Sequence, residues 1–168
     1  IAGDRLCKSY FDVYKTDIRI LRNFNTFGPH QNDTSYGGVI AIFTRKALAG
    51  ETLIVFGNGE QQRDYMYIDD AVKGYMLCIE KEGLAGQIIN VGTGKTIEIR
   101  DLAERIIKYS GSKSQIIHTA GRAGEVMRLC AGTKKAESLG FVSTTNFDEQ
   151  LKEYIRFYAN ENHNSWRR

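Results

Sequence analysis

The sequence predicts an α/β protein in which at least part of the sheet is parallel. Two patterns predict it. Short β-branched runs alternate with segments whose apolar residues recur at helical spacing. The turns between them rely on glycine, with 17 Gly and one Pro in 168 residues. There is no internal repeat or low-complexity segment.

Taken in order, Leu6, Tyr10, Phe11 and Tyr14 predict a helix over residues 4–15, and the run Ile18–Leu21 a strand. Residues 23–38 hold Gly28, Pro29, Gly37 and Gly38 among several Asn and predict a long loop, the kind of segment that in compact domains tends to carry function. Val39–Leu48 reads as a helix and Thr52–Phe56 as a strand; Gly57 and Gly59 then turn the chain toward a short strand at Tyr65–Ile68. Asp69 is expected to cap a helix from Asp70 to Glu80, with Val72, Tyr75, Met76 and Ile79 on its inner face. A strand at Gln87–Val91, a helix at Glu98–Tyr109, a strand at Gln115–His118 and helices at Lys134–Ser138 and Phe147–Tyr158 follow, then a polar tail.

Composition removes several function classes. The net charge of +3 comes from 23 Lys and Arg interleaved with 20 acids, without a basic block, so no nucleic-acid partner is expected. No apolar run approaches the roughly 18 residues of a membrane helix, and no basic-then-apolar leader opens the chain, so no membrane partner and a cytoplasmic location are expected. Cys7, Cys78 and Cys130 show no CxxC or Cys/His ligand spacing; they are expected to be reduced core thiols, and no metal site is expected. His30, His118 and His163 have no Ser or Cys partner that would support a nucleophilic triad.

Three constellations bear on chemistry. Val91-Gly92-Thr93-Gly94-Lys95-Thr96 looks like a phosphate-cradling loop, but a P-loop requires Gly where this chain has Ile89, which excludes that reading in favour of a plain strand-to-helix turn. In Gly57–Tyr65 a glycine turn delivers Arg63, a planar fork suited to phosphate oxygens, beside Asp64; a surface Arg63–Asp64 ion pair is the bland reading of the same residues. Gly121-Arg122-Ala123-Gly124-Glu125 again sets an Arg between glycines after a strand. Two such arginines would clamp a diphosphate if the fold brought them together.

The segments RNFNTFGP (22–29), GNGEQQRDYMYIDD (57–70), INVGTG (89–94), GRAGE (121–125) and AESLGF (136–141), in this order, resemble the C-terminal half of the extended short-chain dehydrogenases. More narrowly they resemble the NAD-dependent nucleotide-sugar epimerases and dehydratases. The resemblance implies part of a Rossmann sheet plus a small mixed α/β substrate-binding domain: the last helix and strand of the sheet domain over 1–30, a mainly substrate-binding region over 31–160 and a tail over 161–168. It also implies that Ile1-Ala2-Gly3-Asp4-Arg5 follows the family's YxxxK, so that the catalytic Tyr and Lys and the glycine-rich cofactor turn are expected upstream in a longer protein.

In the family, sugar oxidation by NAD gives a transient keto intermediate that is epimerised, dehydrated or decarboxylated before hydride returns. The resemblance implies a nucleotide-diphosphate sugar as ligand, held by Asn25, Val39, Phe56, Arg63, Asn90, Arg122 and Glu125, with Asn23 near the cofactor and no catalytic residue in this stretch. Relatives dimerise through the helix corresponding to residues 4–15, so a homodimer of the intact protein is implied. Phe27, Ala123 and Ser143 depart from residues common in the family, and none removes a charged ligand. The other class of function is a binding or regulatory module that holds the nucleotide sugar without catalysis.

Overall fold

The fold rests on a segment of about twelve residues that is paired in parallel, twice, with a segment some sixty residues later. A computed structural model describes residues 2–34 and 37–163; Ile1, part of the loop 31–38 and the tail beyond His163 lie outside the described residues. The elements in order are α1 (Ala2–Tyr14), β1 (Ile20–Asn23), β2 (Thr26–Phe27), α2 (Val39–Leu48), β3 (Leu53–Phe56), β4 (Gln62–Arg63), β5 (Met66–Tyr67), α3 (Ile68–Glu80), β6 (Ile88–Val91), β7 (Ile97–Glu98), α4 (Ile99–Ser110), β8 (Ile116–Thr119), β9 (Arg128–Leu129), α5 (Lys134–Ser138) and α6 (Phe147–His163).

The pairings are largely parallel, as the alternation of elements predicts. β1 lies on β6 with Ile20 opposite Ile88, and β2 lies on β5. β3 lies on β8 with Phe56 opposite Thr119, and β4 on β9 with Arg63 opposite Leu129. Only β4 and β7 pair antiparallel among the described residues.

Helical periodicity builds the larger core. Ile40, Phe43, Thr44 and Ala47 on α2, Leu102, Ala103 and Ile106 on α4, and Leu151, Tyr154, Ile155 and Tyr158 on α6 are buried, each set on one stripe of its helix. These stripes meet over Leu53 and Val55 of β3, with Phe27 ringed by Tyr67, Phe147 and Tyr154. Phe27 is thus a core aromatic. Each of these larger side chains contributes roughly 1.5–3 kcal/mol by leaving water.

Around β1 and β6 a smaller core gathers Met66, Ala71, Cys78, Leu84, Ile89, Val91, Ala136 and Phe141. Here the predicted face of α3 is corrected. Val72, Tyr75, Met76 and Ile79 are exposed, and the buried stripe is Asp70, Ala71, Gly74 and Cys78. The reason is close approach: a Cβ on Gly74 would stand 3.0 Å from Val91 Cγ1. Small residues let the helix sit tight on the strands, which turns the larger apolar residues outward.

Other expectations shift. β1 begins two residues later than predicted, because its pairing with β6 begins at Ile20. The loop 23–38 contains β2, and α6 continues through His163. Of the three thiols only Cys78 is buried, Cys7 and Cys130 being half-buried, and all three are free.

Asp69 is not the cap of α3. The helix starts at Ile68, so Asp69 falls in its first turn and is exposed. Its neighbour Asp70 is buried and accepts from Ser143 Oγ (2.7 Å), from Thr144 and Thr145 through both backbone and hydroxyl (2.7–2.9 Å), and from Lys73 Nζ (2.9 Å). This carboxylate staples α3 to the turn leading into α6, and Ser143 supplies one of its donors. Burial alone would raise the Asp70 carboxyl, but the donors Ser143, Lys73, Thr145 and Thr144 outweigh it and hold it well below the usual carboxylate range.

Because this group is depressed in the folded state, the stability it contributes is complete above about pH 5 and is lost as pH falls through the unfolded value near 4 and below. The urea midpoint should therefore fall more steeply between pH 6 and pH 3 in the parent protein than in Asp70→Asn; parallel slopes contradict the staple.

On the opposite side, Leu6, Tyr10, Val13 and Tyr14 of α1 are half to two-thirds exposed, α3 presents its own apolar row, and β1 has no strand on its second edge among the described residues. Exposed apolar faces beside an open edge favour association. In sedimentation the 168-residue chain on its own should associate with rising concentration and melt broadly; a strictly monomeric chain with a sharp transition contradicts this.

Candidate functional site

Two loops meet where β3 and β8 end. Gly57 N donates to Thr119 O (2.9 Å), and a 2.8 Å bond links His118 Nδ1 to Gly57 O. Downstream, Gln62 N donates to Met127 O (2.7 Å) and Asp64 N to Leu129 O (3.0 Å). Loops 57–61 and 120–127 are thereby held side by side at the carboxyl ends of parallel strands, where open α/β folds bind ligands.

Between them and α2 lies a cavity of about 380 Å³. Asn25, Val39, Phe56, Arg63, Arg122 and Glu125 line it, six of the seven residues proposed for the nucleotide sugar. The seventh, Asn90, does not: it sits within β6 opposite Arg22, outside this cavity. Asn23 stands apart at the carboxyl end of β1 and donates from Nδ2 to the Tyr75 hydroxyl (2.9 Å).

The sequence reading missed Gln61, Tyr65, Ile42, Phe43, Lys46, Ile54 and Ile99, which also line the cavity. Spacing carries a signal for most of them. Gln61, Arg63 and Tyr65 alternate along an extended segment and share a face, while Val39, Ile42, Phe43 and Lys46 share a stripe of α2.

The bland pairing of Arg63 with Asp64 does not form. Arg63 Nη1 donates to Val126 O (2.7 Å) and Gln62 O (2.9 Å), and Nη2 faces Glu125 Oε1 at 3.4 Å. Arg122 stacks over the Phe56 ring, its guanidinium carbon 3.8 Å from the centroid, a geometry in which the charge is attracted to the ring face. It makes no ion pair among the described residues.

Asp64 points the other way and is fully buried. Its Oδ1 accepts from Thr93 N (3.0 Å) and Thr93 Oγ1 (2.6 Å), and its Oδ2 from Gly94 N (2.9 Å) and Ala131 N (3.1 Å). The glycine turn that resembles a phosphate cradle is therefore occupied by the chain's own carboxylate. Gly92 is required there, since a Cβ would lie 2.5 Å from that of Ala131 and 2.9 Å from Asp64 Oδ2. The backbone carbonyl of Asp64 accepts from Asn25 Nδ2 (2.8 Å), which leaves that amide one hydrogen for another acceptor.

Two cavity-lining polar atoms, Tyr65 OH and Gln61 Oε1, are buried and make no hydrogen bond among the described residues. Such atoms are costly unless a ligand or water completes them. Burial pushes the Tyr65 phenol above its ordinary value, against a smaller opposing pull from Arg63, so it stays a hydrogen-bond donor at neutral pH. Among the described residues no cluster of three or more His, Cys, Asp or Glu is arranged to hold a metal ion, and no helix is long and apolar enough to cross a membrane.

Known proteins share this fold. A UDP-N-acetyl-alpha-D-glucosaminuronate decarboxylase from Bacillus cytotoxicus is 32% identical, the match covering 92% of this chain and 50% of the relative. The crystal structure of UDP-glucose 4-epimerase from Thermotoga maritima with UDP-glucose superposes with a TM-score of 0.89 at 28% identity, over 95% of this chain and 52% of that one. The dTDP-glucose 4,6-dehydratase of Streptomyces venezuelae, solved with NAD bound, gives 0.87 at 30% identity, over 97% and 50%. The chain spans about half the length of these relatives, and its fold is that of the C-terminal half of the extended short-chain dehydrogenases. Residues 1–92 match the family described as NAD dependent epimerase/dehydratase family, and the chain belongs to that family.

Proposed function

We propose that this chain forms the nucleotide-sugar-binding half of an NAD-dependent epimerase or dehydratase, which in its intact form oxidises the sugar transiently to a keto intermediate. The observation that carries the reading is the meeting of Arg63 and Arg122 in one cavity with Asn25, Phe56 and Tyr65. A diphosphate is the ligand group that needs two such forks, each worth roughly 1.5–3 kcal/mol to a charged oxygen in a desolvated site. Phe56 and the apolar wall of α2 supply a face for the base, and Tyr65 and Asn25 donate to the oxygens between base and sugar. Asn90 drops out of this clamp.

Asn23 is assigned to the cofactor side, since it lies at the carboxyl end of a parallel strand with one amide hydrogen beyond its bond to Tyr75. When bound, NAD supplies the hydride acceptor and donor. The role of this chain is to hold the substrate's nucleotide so that the sugar is presented to groups elsewhere in the intact protein. The exposed face of α1 is assigned to a homodimer contact of that protein, and the domain limits near residues 30 and 160 belong to the same proposal. The relatives named above are a decarboxylase, an epimerase and a dehydratase, so isomerase and lyase outcomes share this binding half.

In the intact protein, Arg63→Ala and Arg122→Ala should each weaken binding of a nucleotide-diphosphate sugar at least about tenfold, or roughly 1.4 kcal/mol, with the melting temperature little changed in Arg122→Ala and lowered in Arg63→Ala, which leaves the Val126 carbonyl without its donor. Calorimetric titration reads this directly, and unchanged affinity in both variants removes the clamp.

A further inference from the structure

Besides Arg63 and Arg122, a third cation lines the cavity, Lys46. The arginines gather at the carboxyl end of β3, Arg122 on the Phe56 ring and Arg63 on the strand that follows. Lys46 lies at the other end, where α2 stops and β3 starts: it is in the last turn of the helix, and its Nζ donates to Thr52 O, one residue before the strand, at 3.3 Å. Roughly 10 Å of helix separates it from Val39, and Ile54, also on the cavity, precedes Phe56 by about 7 Å of strand. An ammonium carries three hydrogens and no acceptor. Among the described residues Nζ makes this one long bond and no ion pair, which leaves two hydrogens for a ligand.

We propose that Lys46 selects the base of the bound nucleotide by donating to a ring carbonyl. The proposal rests on the nucleotide-sugar reading of the cavity. With the diphosphate at the arginines and the sugar leaving past Asn25 toward β1, the nucleoside extends along α2. Lys46 stands one turn beyond Ile42 on the same face of that helix, so a ring lying on Ile42 brings its outer edge to the ammonium. A pyrimidine is joined to ribose at N1, and the group across the ring, at C4, is the one farthest from the diphosphate. Uracil and thymine carry a carbonyl there, which accepts; cytosine carries an amino group, which donates. One residue therefore attracts the first kind of base and opposes the second, and a discrimination of this kind needs both parts.

The role differs from general attraction of phosphate in what it leaves untouched. A cation that merely adds to the field of the two arginines strengthens UDP, CDP and inorganic pyrophosphate together. One that reads the base acts on UDP against CDP and leaves pyrophosphate alone. The test is calorimetric titration of the intact protein and its Lys46→Met and Lys46→Arg variants with those three compounds.

The parent should bind UDP at least about tenfold more tightly than CDP. Lys46→Met, of similar length and without a donor, should cut that ratio about fivefold or more, with pyrophosphate affinity within about twofold of the parent, while Lys46→Arg keeps the preference. An unchanged ratio in Lys46→Met, or equal weakening of all three compounds, overturns the proposal. So does a parent that binds UDP and CDP alike, whatever the variants do; if that parent still binds pyrophosphate and loses it in Arg63→Ala, the diphosphate clamp stands without the base assignment. Absence of binding of all three compounds to the parent overturns both.

Discussion

The site depends on one buried carboxylate. Asp64 lies wholly inside the protein without a cationic partner among the described residues, a position a carboxylate tolerates only when its lone pairs are filled. Three backbone N–H groups and one hydroxyl fill them, from the 93–94 turn and from Ala131, while its own backbone binds Leu129 and Asn25. One residue therefore joins the loop after β1, the β4–β5 segment, the glycine turn after β6 and the strand end at β9. Because side chains alternate along an extended segment, fixing Asp64 inward directs Arg63 and Tyr65 to the opposite side, into the cavity.

The second constraint is parallel pairing. β3 with β8 and β4 with β9 lay the chain from 53 to 64 beside the chain from 116 to 129 in the same direction. Each segment leaves its first pairing at a strand end, forms a loop and re-enters the second pairing. The two loops have no choice but to face each other, so the two arginines meet although about sixty residues separate them. The larger core beneath them, closed by α2, α4 and α6, supplies the rigid floor on which the polar groups sit.

Much of this is legible in local sequence. The bounds of α2 and α5 are those the sequence predicts, and α4 and α6 begin within a residue of theirs. What periodicity cannot see are the two-residue strands β2, β4, β7 and β9, too short to show a period, yet β4 is the strand that carries Arg63. Nor can it weigh close approach, which is why Val72, Tyr75, Met76 and Ile79 face outward and Gly74 inward. Asp69 and Asp70 are equivalent to a capping rule; only the turn at 143–145, far along the chain, distinguishes them. The motifs around Arg63 and Arg122 were visible as chemistry from the start, and the resemblance grouped them, but the group is not perfect, since Asn90 shares the motif pattern and not the cavity.

Asp64 never reaches the cavity, yet it fixes the segment that carries Arg63 and Tyr65 into it. The direct measurement is urea denaturation and nucleotide-diphosphate-sugar binding of Asp64→Asn in the intact protein. An amide turns an NH2 group toward N–H donors that Oδ1 or Oδ2 now satisfies, so the account predicts a loss of roughly 2–5 kcal/mol in stability. Under conditions where the variant is still folded, it also predicts at least about a tenfold loss in affinity. Stability lost with affinity intact would show that Asp64 merely holds the fold, and both unchanged would contradict the account entirely.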